Sequence, residues 1–194
     1  MTAFPASYPI VVDIDPPASQ GRLGVFFRLI MAIPSLIGLA VVGFIAMIIT
    51  VIAWIVILIT GKYPGGIMNF VAGAVRWMGR TYGYMYLLTD KYPPFSLNED
   101  SAYPIRVSVQ GQVDGRSRLT VFFRYIMAIP HLIIVGVLGY AVGVVGFIAW
   151  VIALFTGSVP AGLHSFIAGY VRWYVRLEGY ILLLTDQYPP FSLS

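Results

Sequence analysis

Two long apolar runs dominate the chain, Val25–Thr60 and Val121–Thr156, and each carries a single charge, Arg28 or Arg124. The uninterrupted portion after Pro34, Ser35–Thr60, would be a helix about 39 Å long, enough to cross a hydrocarbon core of about 30 Å with tilt. Each run is followed by a second, mostly apolar segment, Gly65–Asp90 or Ala161–Asp186, that carries two arginines four residues apart. On a helix, Asn69, Gly73, Arg76, Arg80 and Gly83 fall along one side, and Ser165, Gly169, Arg172, Arg176 and Gly179 repeat the stripe. Small and cationic residues thus share a face, which predicts close helix packing with the arginines turned inward or snorkelling. Ahead of each run stands a short stretch, Tyr8–Ile14 or Tyr103–Val109, whose partial alternation predicts a half-buried strand near a membrane surface.

The pattern occurs twice because the chain is a tandem duplication. At an offset of 96, Arg22–Leu97 reads onto Arg118–Leu193 without a gap and matches at about 42 of 76 positions. The shared blocks are VFFR-IMAIP (Val25–Pro34, Val121–Pro130), IAW (Ile52–Trp54, Ile148–Trp150), TG (Thr60–Gly61, Thr156–Gly157), V-R-W-R (from Val75 and Val171) and GY-LLTD-YPPFSL. The repeats divide the chain at 1–98 and 99–194. One departure is Ser35, which stands where the second copy has His131.

These blocks resemble an uncharacterised bacterial membrane-protein family, a domain of unknown function, in which an FFR-AIPH segment, an apolar span, RW-R and LLTD-YPPFSL recur in that order. The resemblance covers nearly the whole chain, twice. It implies a membrane location and no particular reaction.

Composition agrees with the pattern. Of 194 residues, 59% are hydrophobic and 10% charged, against about 25% charged in a soluble domain, so a water-facing surface cannot be covered all round. A net charge of +4 suits contact with anionic lipid, and nucleic acid need not be invoked. The N-terminus has no basic region ahead of an apolar run and does not read as a cleavable signal peptide. Zero cysteines exclude disulfides, thiolate nucleophiles and Cys-ligated metals.

Two alike modules carry the same charge pattern and are expected to face the membrane the same way, giving an even number of crossings per repeat. Arg22, Arg28, Lys91, Arg106, Arg116, Arg118 and Arg124 flank the entry of the apolar runs, and the short loops after them hold only Lys62. The positive-inside rule then makes the entry side cytoplasmic. The expected fold is an all-α membrane protein of two tandem pseudo-symmetric repeats, each a two-helix transmembrane unit with a short extended surface segment. A first helix (about 25–60) leaves the cytoplasm and a second (about 66–88) returns, with both termini cytoplasmic in the bacterial inner membrane. The rival expectation folds each run into a hairpin turning near Gly43 or Gly139.

No nucleophile elbow, metal-ligand spacing or cofactor motif is present, so no catalytic residue, metal site or cofactor is expected. The candidate contacts are the arginines, Arg28, Arg76, Arg80, Arg124, Arg172 and Arg176, reaching lipid phosphates, anions or the possible acidic partners Asp90, Glu178 and Asp186. Phe26, Phe27, Tyr82, Tyr84, Tyr86, Tyr92, Phe122, Phe123, Tyr180 and Tyr188 read as an aromatic belt. Two prolines in YPPFSL should stop the second helix and lay the chain along the surface. The function these features suggest is non-enzymatic: a structural or accessory subunit of an inner-membrane assembly, in contact with lipids and with another membrane protein or a second copy. The alternatives are a small anion or solute transporter or channel, and a membrane-shaping tandem hairpin.

Overall fold

The computed structural model describes residues 8–194; the first seven residues of repeat 1 lie outside it. The elements in order are β1 (Ile10–Ile14), α1 (Arg22–Phe26), α2 (Arg28–Thr60), α3 (Gly65–Met85), β2 (Ile105–Val109), α4 (Arg118–Phe122), α5 (Arg124–Thr156) and α6 (Ala161–Ile181). The protein is mostly helical, built as two repeats, and the two extended stretches form strands.

The long apolar runs form α2 and α5, separated from the one-turn helices α1 and α4 by turns at Phe27 and Phe123. Pro34 and Pro130 sit in their early turns, and Gly61 and Gly157 end them in the left-handed conformation, φ 73° and 76°. That backbone disfavours residues with a Cβ, so the repeated TG pair is a helix stop. Both helices run uninterrupted through Gly43 and Gly139, so the hairpin expectation is not met: with neither Pro nor an Asn-Gly turn there, nothing opens the helical hydrogen-bond ladder.

The strands pair antiparallel, Ile10 opposite Val109 and Ile14 opposite Ile105. The halves also interlock, since β1 packs on α6 and β2 on α3, while α1 packs on α5 and α4 on α2. The indole of Trp54 donates to the Val121 carbonyl at 3.0 Å, and Trp150 donates to the Val25 carbonyl at 2.8 Å. The backbone N–H of Gln20 meets the Gly157 carbonyl at 2.8 Å, and that of Arg116 meets the Gly61 carbonyl at 3.1 Å. The start of each long helix therefore lies beside the end of the other. Tyr82 against Tyr174 and Tyr86 against Tyr170 give α3 and α6 the same antiparallel relation.

A pseudo-twofold axis thus runs across the helices, which corrects the expectation that both modules face the same way. The similar charge pattern is read by the fold as a symmetric, head-to-tail interlock rather than as two insertions of one orientation. Two helices among the described residues, α2 and α5, are long and apolar enough to span a membrane. Helices α3 and α6 instead form the centre of the body, burying Val71, Val75, Trp77, Arg80 and Tyr84 and their counterparts Ile167, Val171, Trp173 and Tyr180.

Three layers result. The β1–β2 ribbon lies on the α3/α6 face that carries Gly79 and Gly83, and Val107 and Ile105 fill the space a Cβ would take there. The opposite face, with Ala74, Met78 and Tyr82, turns towards α2 across a groove. The glycine stripe is therefore used by strands and tails rather than by another helix, and Leu97 and Leu193 of the two YPPFSL segments cover Gly73 and Gly169.

The outermost layer, α2 and α5, holds on by a narrow stripe. In α2 the buried positions are Arg28, Ala32, Ser35, Ala46, Thr50, Ala53 and Ile57, and Leu29, Ile37, Phe44, Ile48, Ile52 and Ile59 are exposed. In its most apolar stretch 22% of residues are buried, and 17% in that of α5, whereas a core helix of a soluble protein would be mostly buried.

Candidate functional site

The expected site residues separate into two clamps and one polar cavity. The clamps join the FFR and LLTD blocks within each repeat. Arg28 is buried, and its Nη1 donates to the Thr89 carbonyl at 2.8 Å while Nη2 donates to Gln20 Oε1 at 2.7 Å and Asp90 Oδ1 at 2.8 Å. Its guanidinium lies 4.3 Å from the centre of the Tyr84 ring. Asp90 Oδ2 accepts from the Gly21 N–H at 3.2 Å, so the carboxylate ties the entry of α1 to the end of α3.

Arg124 repeats this geometry, donating to the Thr185 carbonyl at 2.7 Å and to Asp186, over the Tyr180 ring at 4.1 Å. A second guanidinium, Arg116, stands where the first clamp has Gln20 and forms an ion pair with Asp186 at 2.8 Å. Burial pushes the Arg116 guanidinium below its ordinary value, and Asp186 opposes that shift. One carboxylate thus serves two buried cations, and removing it would leave both desolvated and unpaired.

The backbone that presents each clamp is unusual. Leu87 and Leu183 sit at φ 63° and 65°, which is sterically costly for a residue with a Cβ. The N–H of Leu88 bonds the Gly83 carbonyl, and that of Leu184 bonds the Gly179 carbonyl, both at 2.9 Å, closing the helix by the motif that usually employs glycine. The sharp reversal brings the Thr and Asp of LLTD back to the arginine.

This selects among the expected pairings. Asp90 and Asp186 serve Arg28 and Arg124 rather than the paired arginines of α3 and α6, because LLTD follows the helix end and lies far along the helix from those pairs. Arg28 and Arg124 are interior. Tyr84 and Tyr180, assigned to an aromatic belt, cover these guanidiniums instead, since a ring face attracts the cation. Tyr82 and Tyr86 lie in the groove between halves, while Phe26, Phe27, Phe122 and Phe123 are exposed.

The α3 and α6 arginines face the ribbon side. Arg76 Nη2 donates to Glu99 Oε1 at 2.7 Å, and Arg80 Nη2 donates to the carbonyls of Ser96 and Asn98 at 3.0 and 2.9 Å. Arg172 Nε donates to the Val12 carbonyl at 3.2 Å, and Arg176 Nη1 to the main-chain oxygen of Ser194 at 2.6 Å. Glu178 is with none of them: it lines a cavity of about 440 Å³ between the middle of α2 and the α6 residues Tyr174 and Ile181.

Several ion pairs escaped the sequence reading, those of Arg106 and Glu99 among them. Arg106 on β2 stands opposite Asp13 on β1 and donates from Nε to Asp13 Oδ2 at 3.0 Å and from Nη2 to Asp15 Oδ1 at 2.6 Å. Its hydrogen bonds to Asp15 and then Asp13 hold the guanidinium above the ordinary arginine range. Glu99 likewise lies outside the duplicated segment, so comparing the halves could not single it out. The Ser35/His131 departure has a simple resolution: Ser35 Oγ accepts from the Trp77 indole at 3.2 Å, and His131 Nδ1 accepts from Trp173 at 2.9 Å. Both supply the same acceptor.

A clamp of Arg and Asp within each of two interlocked copies defines a duplicated helical module. The family model for the domain of unknown function DUF4389 matches residues 22–96 and 118–192, and the chain belongs to that family as two tandem copies. No curated protein and no solved structure matches the chain.

Proposed function

We propose that the chain is a non-enzymatic membrane protein that lies in one leaflet, with α2 and α5 in the hydrocarbon and the pseudo-twofold axis along the membrane normal. The observation that supports this reading is the sidedness at the axis. The ribbon stacks on one face of α3 and α6 near Gly79, Gly83 and Gly179, and the middle of α2, Leu36–Met47, lies over their other face. One side carries Asp13, Asp15, Glu99 and Arg106; the other exposes Ile37, Val41, Phe44, Ile45 and Met47.

If α2 and α5 crossed the bilayer as inverted repeats, the axis would lie in the membrane plane and the ribbon would sit level with the bilayer centre. Its partly exposed charges would then each cost roughly 2.5–3.5 kcal/mol on the insertion scale. Laid flat, the same charges stay in water. A 33-residue helix of about 50 Å also exceeds the core thickness but has room in the plane.

The biological role we infer is a structural or accessory component of the bacterial inner membrane, on its cytoplasmic leaflet where a basic chain meets anionic lipid, with both termini cytoplasmic. Apolar volume inserted into a single leaflet also supports a membrane-shaping role, without the hairpins first expected. Inverted repeats about an in-plane axis occur in transporters, and that second reading has the antiparallel arrangement of the halves in its favour.

Single cysteines decide between these readings, because the native chain has none. Gly65 and Ala161 lie at opposite ends of the molecule, and both are exposed, as is Ser101 on the ribbon side. With a thiol reagent that does not cross the inner membrane, the in-plane reading expects all three protected in intact cells and all three labelled in inside-out vesicles. Labelling of Gly65 or Ala161 alone in intact cells would establish inverted crossings. Labelling of both, with Ser101 protected, would restore the four parallel spans.

A further inference from the structure

We propose that the cavity above Arg80 binds a small oxyanion, a phosphate or carboxylate group, between Arg76 and Arg80 of α3 and the loop 98–101. The cavity has a volume of about 190 Å³, and strand β2 closes it with Arg106 and Ser108. Three guanidiniums, Arg76, Arg80 and Arg106, and two carboxylates, Glu99 and Asp100, line it, and Arg106 is already paired with Asp13 and Asp15.

Arg80 carries the argument. It is 3% exposed, and its plane is fixed because Nε donates to the Arg76 carbonyl at 3.2 Å while Nη2 donates to the carbonyls of Ser96 and Asn98. Among the described residues its Nη1 is buried without an acceptor, and so are the Nε atoms of Arg76 and, in the second repeat, Arg176. Buried charged donors are ordinarily satisfied, and Arg80, which lines the cavity, is the arginine of the α3 and α6 pairs whose terminal Nη1 lacks an acceptor, so the acceptor it calls for is one the cavity would hold. Guanidinium forks suit planar or tetrahedral oxyanions in particular.

Glu99 shows the chemistry that fits. Its carboxylate rests on Arg76 Nη2 at 2.7 Å, yet its side chain is 61% exposed, so it can turn into water and yield to an incoming oxyanion. The loop and Arg106 make the site specific to one half. The second repeat keeps Arg172 and Arg176, but β1 presents Val11 where β2 presents Arg106, and Arg172 bonds the β1 backbone directly.

Delivery of the ligand from water rests on the in-plane reading, which turns the ribbon away from the lipid. The test uses the full chain in nanodiscs of zwitterionic lipid, titrated with inorganic phosphate while the amides of 98–101 and the arginine Nε–H signals are followed by NMR. Saturable shifts confined to this loop, Arg76 and Arg80 are expected. Glu99→Gln removes the competing carboxylate and should tighten binding about tenfold, and Arg176→Gln should change nothing. Absence of saturable shifts in both the native chain and Glu99→Gln up to about 50 mM phosphate would overturn the site. So would equal weakening by Arg176→Gln, which would mark a diffuse charge effect. Arg80→Gln should abolish binding; should that variant not fold, the Glu99 and Arg176 variants still decide. A final arm replaces the lipid with anionic phospholipid and omits phosphate. An unchanged loop spectrum supports a free oxyanion, whereas loop shifts would assign the oxyanion to a lipid headgroup and overturn both its delivery from water and the in-plane orientation, leaving the arginine site in place.

Discussion

The two clamps use one design in two environments. Arg28 divides its guanidinium between Asp90 and a neutral acceptor, Gln20 Oε1, and Asp90 has a side chain 43% exposed. Arg124 shares Asp186 with a second cation, Arg116, and that carboxylate is 14% exposed. A guanidinium–carboxylate bond in water's reach is worth little, while a buried one is costly to break because the surviving charge stays desolvated. Duplication therefore kept the geometry and changed the electrostatics: the first clamp meets water at its carboxylate, and the second is an interior ion cluster.

The largest expected effect tests that difference directly. Asp186→Asn leaves Arg116 and Arg124 facing each other without a carboxylate and should cost about 3–5 kcal/mol. Asp90→Asn, with solvent and Gln20 at hand, should cost about 1 kcal/mol. For a chain of this size each kcal/mol lowers the midpoint of thermal unfolding by about 2–4 °C, so calorimetry in mild detergent separates the two. Equal losses would break the comparison and place the buried cost elsewhere.

A smaller contrast runs in the same direction. A Cβ added at Gly169 would lie 2.6 Å from the Leu193 carbonyl oxygen, and one at Gly73 would lie 2.9 Å from the Leu97 carbonyl oxygen. Backbone cannot rotate away as a side chain can, so Gly169→Ala should destabilise by about 2–3 kcal/mol and Gly73→Ala by somewhat less. At Gly83 and Gly179 the obstacle is the Cδ1 end of Ile105 or Ile10, which can turn aside. Alanine there should cost the least of the four, and the reverse order would show that the strands, not the YPPFSL tails, are the tightly held elements.

The tails also show what the sequence could and could not reveal. The helices and the strands were legible because each follows from local chemistry: apolar length and alternation. The arginine stripe on α3 and α6 was legible as a face. What covers it was not, since the glycines that suit helix packing suit a strand or a returning tail equally well. The partner of Arg28 lies 62 residues away across a turn that uses leucine, not glycine, at positive φ, and no periodicity announces such a reversal. Charge patterning suggested two modules facing one way because it describes each copy alone. The interlock of β1 with α6 and α1 with α5 is a property of the pair, and a repeat comparison reads only what the copies share.

The smallest predicted effect concerns that interlock, where the halves should behave alike. Trp54 donates to the carbonyl of Val121, and Trp150 to that of Val25, at 3.0 and 2.8 Å. Each bond crosses from the end of one long helix to the turn before the other, so each reports contact between halves rather than stability within one. Both donors are partly buried, and phenylalanine preserves most of the packing while deleting the N–H. Trp54→Phe and Trp150→Phe should each cost about 1 kcal/mol, the net worth of one hydrogen bond, and by the same amount within about half a kcal/mol. The double variant should lose the sum if the two ends are independent, and more than the sum if one end holds the other in register. A markedly larger loss from either single variant would mean that the symmetry is geometric only, with one end of the interlock carrying the association and the other following it.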